Sequence, residues 1–295
     1  MKDTFSAYHP SINFIYFTFV ILVTMFLWNP VLLAISFAAG MVYSIYLNGK
    51  KAVKFNLLAL LPMMLIAALI NPLFNHEGAT ILLYVNNNPI TLESIWFGIA
   101  SAVMLGAVIL WFSCYNAIMT SDKFVYLFGR VIPSLSLVLA MVLRFVPKYK
   151  AQIKRISNAQ RCVGKDVRSG NLFMRIRNGM MILSVMMTWA CENAIETADS
   201  MKSRGYGLRG RTAYSIYRFD ARDKSMLISM VCLLLLVTGA MLFGAVSVRY
   251  FPSFKMSDVT ILSGVVYAAY AAVCFLPILT DIKEDIVWRS LRSQI

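Results

Sequence analysis

Histidine is nearly absent from this chain, with only His9 and His76 among 295 residues, and Asp and Glu together number 14 against 28 Lys and Arg. Two isolated histidines give no basis for a histidine metal site. The five cysteines, Cys114, Cys162, Cys191, Cys232 and Cys274, are scattered, odd in number and without CxxC spacing. They indicate neither a disulfide framework nor a zinc site. No Walker phosphate loop is present, so the chain does not hydrolyse ATP alone. The first ten residues hold one Lys, one Asp and no small-residue cleavage pattern, so Ile12 onward reads as a retained first span rather than a signal peptide.

What the chain has in abundance is apolar surface: 59% of its residues are hydrophobic and the mean hydropathy is +0.68. A soluble protein of this length needs far more polar surface, which makes this an integral membrane protein. The formal charge of +14 has nucleic-acid binding as its other usual meaning. The apolar spans argue against that, and no nucleic-acid partner is expected. The charge instead follows the tendency of Lys and Arg to remain on the cytoplasmic side.

Ile12 to Trp28 and Val31 to Leu47 are apolar runs joined through Asn29-Pro30, a link short enough to require an antiparallel helical hairpin. Lys50, Lys51 and Lys54 mark a cytoplasmic loop. Phe55 to Ile70 leads out with a kink expected at Pro62, and Asn71 to Thr91, with no Lys or Arg, is placed outside. Within it, Ile81 to Val85 and Pro89 to Thr91 flank Asn86-Asn87-Asn88 as a small β-hairpin. Leu92 to Met119 returns to the cytoplasm, Met226 to Val248 goes out, and Val259 to Leu279 comes back, leaving Asp281 to Ile295 as a charged tail. The expected fold is an all-α integral membrane protein with about six transmembrane helices, both termini cytoplasmic, and long cytoplasmic helices. Its divisions are residues 1–120, N-terminal transmembrane helices; 121–224, a cytoplasmic helical domain; and 225–295, C-terminal transmembrane helices and tail. Counting eight spans would place outside a segment, Lys148 to Arg177, that carries nine Lys and Arg against Asp166 alone. The apolar pieces flanking that segment are therefore read as non-crossing, at the cytoplasmic interface or packed on protein.

The chemistry concentrates in this basic insert. Ala190, Ala194, Ala198 and Met201 recur at helical spacing as a narrow face of small residues. Glu192, Glu196 and Asp199 precede Lys202 and Arg204, the order that the helix dipole favours, and Gly205 stands where a left-handed cap is needed. A helix is thus expected to stop at Arg204 with its guanidinium at the tip. An earlier helix, with Tyr149, Ile153, Ile156 and Val163 roughly on one face, is closed by Gly164. Two helices ended by Gly form a paired docking device. An Arg at such a tip meets carboxylates or carbonyls with a planar fork that Lys cannot copy. Most of the other basic residues are assigned to the anionic membrane surface.

Three motifs carry a resemblance: Leu143-Arg144-Phe145-Val146-Pro147, Ala159-Gln160 through Gly164, and Ala198 through Tyr206 followed by Arg211-Thr212. The chain resembles the transmembrane T component of energy-coupling factor (ECF) transporters, the family of EcfT and CbiQ. The resemblance implies a non-catalytic subunit without a cofactor or metal of its own, in a bacterial or archaeal cell membrane. Its implied partners are two ATP-binding ATPase subunits, a small membrane S component for vitamin or metal-ion uptake, and the lipid bilayer. In that family two coupling helices end in Ala-Arg-Gly-like tripeptides, each docking on one ATPase. Ser203-Arg204-Gly205 matches the second. The first falls on Cys162-Val163-Gly164, where Val163 replaces the arginine. Either Arg161, about 200° round the helix from Val163, substitutes imperfectly, or the first contact is apolar and its ATPase groove differs, in which case the two ATPases are distinct proteins or coupling rests mainly on Arg204. Met180, Met181, Met186 and Met187 suit a surface that repacks against a moving partner or simply fill an irregular apolar interface.

Two other classes have some footing in the sequence. A membrane-embedded enzyme acting on a lipid or isoprenoid phosphate would use the DxxD pair Asp220 and Asp223 for Mg²⁺, without a second acidic pair or phosphate loop to accompany it. An autonomous secondary transporter would need charge inside the membrane, and the firm spans hold none near their centres.

Overall fold

The structure is a computed structural model that describes residues 4–85, 88–129, 132–168, 170–206, 208, 217–244, 246–257 and 260–292. The chain divides into two compact units, one formed by residues 1–123 with 217–295 and one by 124–216.

The first unit is a helical bundle built from α1 (Pro10–Phe26), α2 (Pro30–Asn48), α3 (Lys50–Phe74), α4 (Leu92–Ile118), α8 (Ala221–Leu242) and α9 (Ile261–Arg292). Five of these, α2, α3, α4, α8 and α9, are long and apolar enough to cross a membrane, and α1 is a shorter apolar helix of 17 residues. The chain is a multi-pass, all-α membrane protein. The α1–α2 hairpin forms because Pro10 and Pro30 open each helix, where a missing N–H costs nothing. The His9 ring and the Asn29 amide oxygen cap the following turns by accepting the Ser11 and Val31 N–H groups.

Proline shapes two other helices. The kink expected at Pro62 is taken up by a π-type turn at Asn56–Leu60, just ahead of it. Pro72, inside α3, withholds the N–H that the Ala68 carbonyl would receive. α4 fills that position closely: a Cβ on Gly98 would stand 2.7 Å from the Ala68 oxygen. In α9, Pro277 likewise leaves the Val273 carbonyl without its helical donor. The buried Tyr16 hydroxyl of α1 supplies the replacement, donating to the carbonyls of Val273 and Cys274 at 3.2 Å each. Tyr16→Phe is therefore expected to cost about 1–3 kcal/mol by orphaning buried carbonyls. Pro277→Ala should remove most of that penalty in the double variant, a coupling that a thermal-unfolding cycle in detergent reads directly.

The core around these contacts is aromatic. Phe5, Tyr16, Phe17, Tyr43 and Trp111 are buried together in edge and tilted contacts. A polar chain runs through it: the Trp111 indole N–H donates to Ser36, Ser36 bonds Thr24, and Thr24 donates to the Val20 carbonyl, with Tyr270 also on Thr24. Every member finds a partner, as buried polar groups must in a low-dielectric interior.

The segment read as a charged tail is helix. α9 continues to Arg292, and Asp281 is buried, its carboxylate accepting the Thr4 and Phe5 N–H groups at 2.8 and 3.2 Å. Lys123, expected to flank an interfacial segment, is also buried and donates to both Ser6 oxygens and to the terminal Ile118 carbonyl of α4. The charges here are structural ties, which composition alone does not distinguish from solvated ones.

At the other end of this unit the expected hairpin is present as β1 (Ile81–Val85) and β2 (Asn88–Thr91), pairing Tyr84 with Pro89. Residues 86 and 87 of its turn lie outside the described residues. A second, unanticipated hairpin, β3 (Val248–Arg249) with β4 (Lys255–Met256), sits where the sequence showed only a loop. The Ala79 N–H donates to Pro252, and the Tyr250 hydroxyl donates to the Trp28 carbonyl at 2.6 Å. Burial pushes the Tyr250 hydroxyl from the ordinary value of 10 up to about 12. A group raised in this way contributes stability that is complete below its unfolded value and is lost as pH rises through the folded one. Stability should thus decline between pH 10 and 12, and less steeply in Tyr250→Phe, as unfolding temperatures across that range will show.

The second unit consists chiefly of α6 (Pro133–Cys162) and α7 (Leu172–Ser203), preceded by α5 (Ser121–Gly129), which begins at the end of the first unit. Among the described residues, no helix of this unit is long and apolar enough to be a spanning candidate. The apolar stretches on either side of the basic segment are not separate pieces. The stretch before it is shared between α5 and the first part of α6, and the one after it is the middle of α7, between Arg175 and Arg177 on one side and Glu192 on the other.

Candidate functional site

Both helix tips close with the same backbone geometry. At the end of α6, Gly164 has φ +77°, its N–H donates to the Arg161 carbonyl, and the Lys165 N–H donates to the Gln160 carbonyl. At the end of α7, Gly205 also has φ +77°, its N–H donates to Lys202, and the Tyr206 N–H donates to Met201. These are two Schellman closures, in which one residue in the left-handed conformation turns the chain back over the helix carbonyls. Any side chain at the glycine positions would be strained there, so glycine is the residue that builds the tip.

The equivalence fixes which residues correspond. The half-in residue before the glycine is Val163 in one tip and Arg204 in the other, with Cys162 and Ser203 ending their helices. Val163 is 72% exposed. Arg204 is exposed too, and no side-chain hydrogen bond or ion pair is formed by its guanidinium among the described residues. The Ser203 hydroxyl turns back to the Ser200 carbonyl at 2.9 Å.

Arg161, two residues before Val163, is turned towards the loop beyond the tip. Its Nε lies 3.5 Å from the Asp166 carboxylate, beyond the glycine turn. The link after the first tip is folded onto α7: Asn178 donates to the Asp166 carbonyl at 3.0 Å and Arg175 Nε to the Val167 carbonyl at 2.9 Å. Asp166 also caps its own turn by accepting the Arg168 N–H. Sequence reasoning passed over this brace. Its one signal was Asp166 itself, the lone acid in a basic run.

Farther along, α6 and α7 meet where Tyr149 packs edge-on to Trp189, with ring centroids 5.5 Å apart, and Lys148 lies over the same indole while donating to Asn193 Oδ1 at 2.6 Å. The packed line of α7 runs through Ile182, Met186 and Trp189. Ala194 and Ala198, on the small-residue face, are exposed instead. Of the expected one-sided set on α6, Tyr149 and Ile156 are half-buried, whereas Ile153 and Val163 are exposed. Met180, Met181 and Met187 are exposed and Met186 is buried. Leu172, Phe173, Ile176 and Leu183 also face outward, so this helix is apolar on sides that no described residue covers. Arg211 and Thr212 lie outside the described residues.

The acids that would have supported an enzyme are engaged elsewhere. Asp220 and Asp223 form a capping box at the start of α8, and Asp223, which is buried, also accepts the His9 N–H at 3.4 Å. Among the described residues no group of three His, Cys, Asp or Glu side chains is placed to hold a metal.

The chain is thus a multi-pass helical membrane protein in which α6 and α7 end in two matched tips. Residues 5–214 match the family model described as CbiQ, cobalt transport protein, and the chain belongs to that family. It is 39% identical over 93 residues to an energy-coupling factor transporter transmembrane protein EcfT of Lacticaseibacillus paracasei, covering 31% of this chain and 35% of that one. Against EcfT of Lactobacillus helveticus the identity is 35% over 118 residues, covering 40% and 42%. Against EcfT of Lactococcus lactis it is 34% over 104 residues, covering 35% and 39%. The matched stretches span less than half the length of these curated relatives.

Proposed function

We propose that this chain is the transmembrane coupling subunit of an ECF-type importer, and that it performs no catalysis itself. The observation that carries this reading is the pair of identical Schellman tips, Cys162-Val163-Gly164 and Ser203-Arg204-Gly205. The first tip is braced beside Asn178 while the second lies at the far end of α7, about 40 Å away at 1.5 Å per residue. That separation suits two ATP-binding subunits, each receiving one tip. In this reading residues 121–224 form the cytoplasmic coupling domain, flanked by the transmembrane parts 1–120 and 225–295, with both chain termini cytoplasmic. The exposed apolar sides of α7 and the lipid-accessible bundle would serve a small membrane S component for a vitamin or metal ion. The host membrane is bacterial or archaeal.

Affinity purification of the tagged chain from detergent-solubilised host membranes tests this. The expected result is co-recovery of subunits bearing Walker motifs together with a small hydrophobic protein, and loss of the Walker-bearing subunits with Arg204→Glu. Recovery of the chain alone under conditions that preserve its fold would overturn the reading.

A further inference from the structure

We propose that the end of the bundle carrying the β3–β4 hairpin binds an anionic phospholipid, with one acyl chain in the cavity between α2, α4 and the hairpin and the phosphate against Arg249 and Lys255. The inference needs the membrane fold alone and is independent of the coupling reading.

The cavity holds about 270 Å³ and is walled by Leu33 and Ala34 of α2, Trp96 and Val103 of α4, and Tyr250 and Phe254 of the hairpin. From Trp96 to Val103 it follows α4 for about 10 Å at 1.5 Å per residue. Its walls are hydrocarbon and aromatic ring, and the Tyr250 hydroxyl is spent on the Trp28 carbonyl. An apolar cavity of this kind stays dry and takes hydrocarbon in preference to a polar solute. Its back wall is fixed by ring packing: Trp28 stacks on Phe97 with centroids 4.8 Å apart, and Tyr250 stands edge-on to both. Its mouth faces away from the bundle, where Trp96 and Ala34 are exposed. Beside two helices long and apolar enough to cross a membrane, that direction is the lipid phase.

The hairpin supplies the charge. Side chains alternate between the two faces of a strand. Tyr250 and Phe254, with ring centroids 5.6 Å apart, share the cavity side, which leaves Arg249 and Lys255 on the other. These two are register partners, and like charges directly opposite each other, with Cβ atoms about 5 Å apart, are destabilising. Both are exposed, and neither forms an ion pair among the described residues. Even with Asp258 counted, residues 248–258 hold two cations against one acid. The neighbouring segment 71–91, joined to this hairpin through Ala79 and Pro252, has no Lys or Arg. An unpaired cation pair is complementary to an anion lying between its members. Long stems let both heads reach past the edge of so short a hairpin. Trp and Tyr collect at the depth of lipid headgroups, so Trp28, Trp96 and Tyr250 put the phosphate of a lipid seated in the cavity level with these cations. A free anion would satisfy the charges and leave the cavity empty. A neutral lipid would fill the cavity and leave the charges opposed. An anionic amphiphile satisfies both.

Trp96 is the reporter. The full chain is placed in phosphatidylcholine nanodiscs with increasing fractions of phosphatidylglycerol brominated on its acyl chains, and the quenching of Trp96 is read as the difference between wild type and W96F. Half-maximal quenching is expected at a mole fraction at least about tenfold lower than with brominated phosphatidylcholine, the scale of preference that two cations at an anionic headgroup confer. The double variant R249Q/K255Q should abolish the preference, and A34F, which fills the mouth of the cavity, should reduce quenching by both lipids. All these positions are exposed, and unfolding temperatures matching wild type confirm the fold of each variant. Excess inorganic phosphate should change nothing. Equal mole fractions for the two lipids in wild type, or a preference that survives R249Q/K255Q, would overturn the proposal. Quenching untouched by A34F, or absent altogether, would show that no chain enters the cavity and overturn it equally. Loss of the preference on adding inorganic phosphate would replace the lipid site with a site for a free anion.

Discussion

Arg204→Glu is expected to reduce recovery of the ATP-binding subunits about 100-fold or more and to abolish transport, while the chain itself remains folded in the membrane. Truncating one partner of a buried, hydrogen-bonded charge pair at an interface typically costs about 2–5 kcal/mol, and reversing the sign adds repulsion. The chain should tolerate the change because Arg204 is exposed and only its backbone takes part in the tip. Substitutions at such positions usually fall within about 0.5 kcal/mol in stability. Arg204→Lys separates charge from geometry. A lysine keeps the charge but not the planar fork, so an intermediate loss of about tenfold is expected. Equal recovery for wild type and Arg204→Glu, measured on detergent-solubilised complexes at matched chain abundance, would show that the second tip makes no charged contact.

Trp111→Ala should have the largest effect on stability, about 3–5 kcal/mol. The side chain is fully buried and lies edge-on to Tyr16 and Phe17, with Tyr43 tilted beside it. Its indole N–H opens the hydrogen-bonded chain through Ser36 and Thr24. Trp111→Phe retains much of the ring packing but removes that donor, and a loss of about 1–2 kcal/mol is expected. The difference between the two variants isolates the aromatic volume from the hydrogen bond. Cys114 and Cys274 are buried, so the rate at which a thiol-reactive dye gains access to them during a thermal ramp reports the unfolding of this core. Indistinguishable ramps for wild type and Trp111→Ala would contradict the packing described.

The parts of this fold that were legible in sequence are those governed by local rules. Asn29-Pro30 announced the α1–α2 hairpin because an Asn cap and a Pro at the first helical position act within three residues. Gly164 and Gly205 announced the two tips because only a left-handed residue closes a helix in this way. What escaped was decided by distant partners. Asp281 looks like part of a solvated tail until Thr4 and Phe5 are placed against it. Tyr16 looks like an ordinary core tyrosine until Pro277 strips a carbonyl that it then serves. The DxxD pair has the spacing of a cation site and also that of a capping box, and spacing does not choose between them. At the candidate site, Val163 was visible as a departure from the family pattern. The pairing of Arg161 with Asp166 was not, because it crosses a glycine turn.

The brace between the first tip and α7 has a mechanical consequence. With Asp166 and Val167 fastened to Asn178 and Arg175, the first tip rides on the body of α7 and has little play of its own. A difference in height imposed on the two tips is then converted into rotation of the helix between them. Over a lever of about 40 Å, each ångström of offset tilts α7 by about 1.5°, so a displacement of a few ångströms between the tips would reorient the exposed Met180 and Met187 face as a unit.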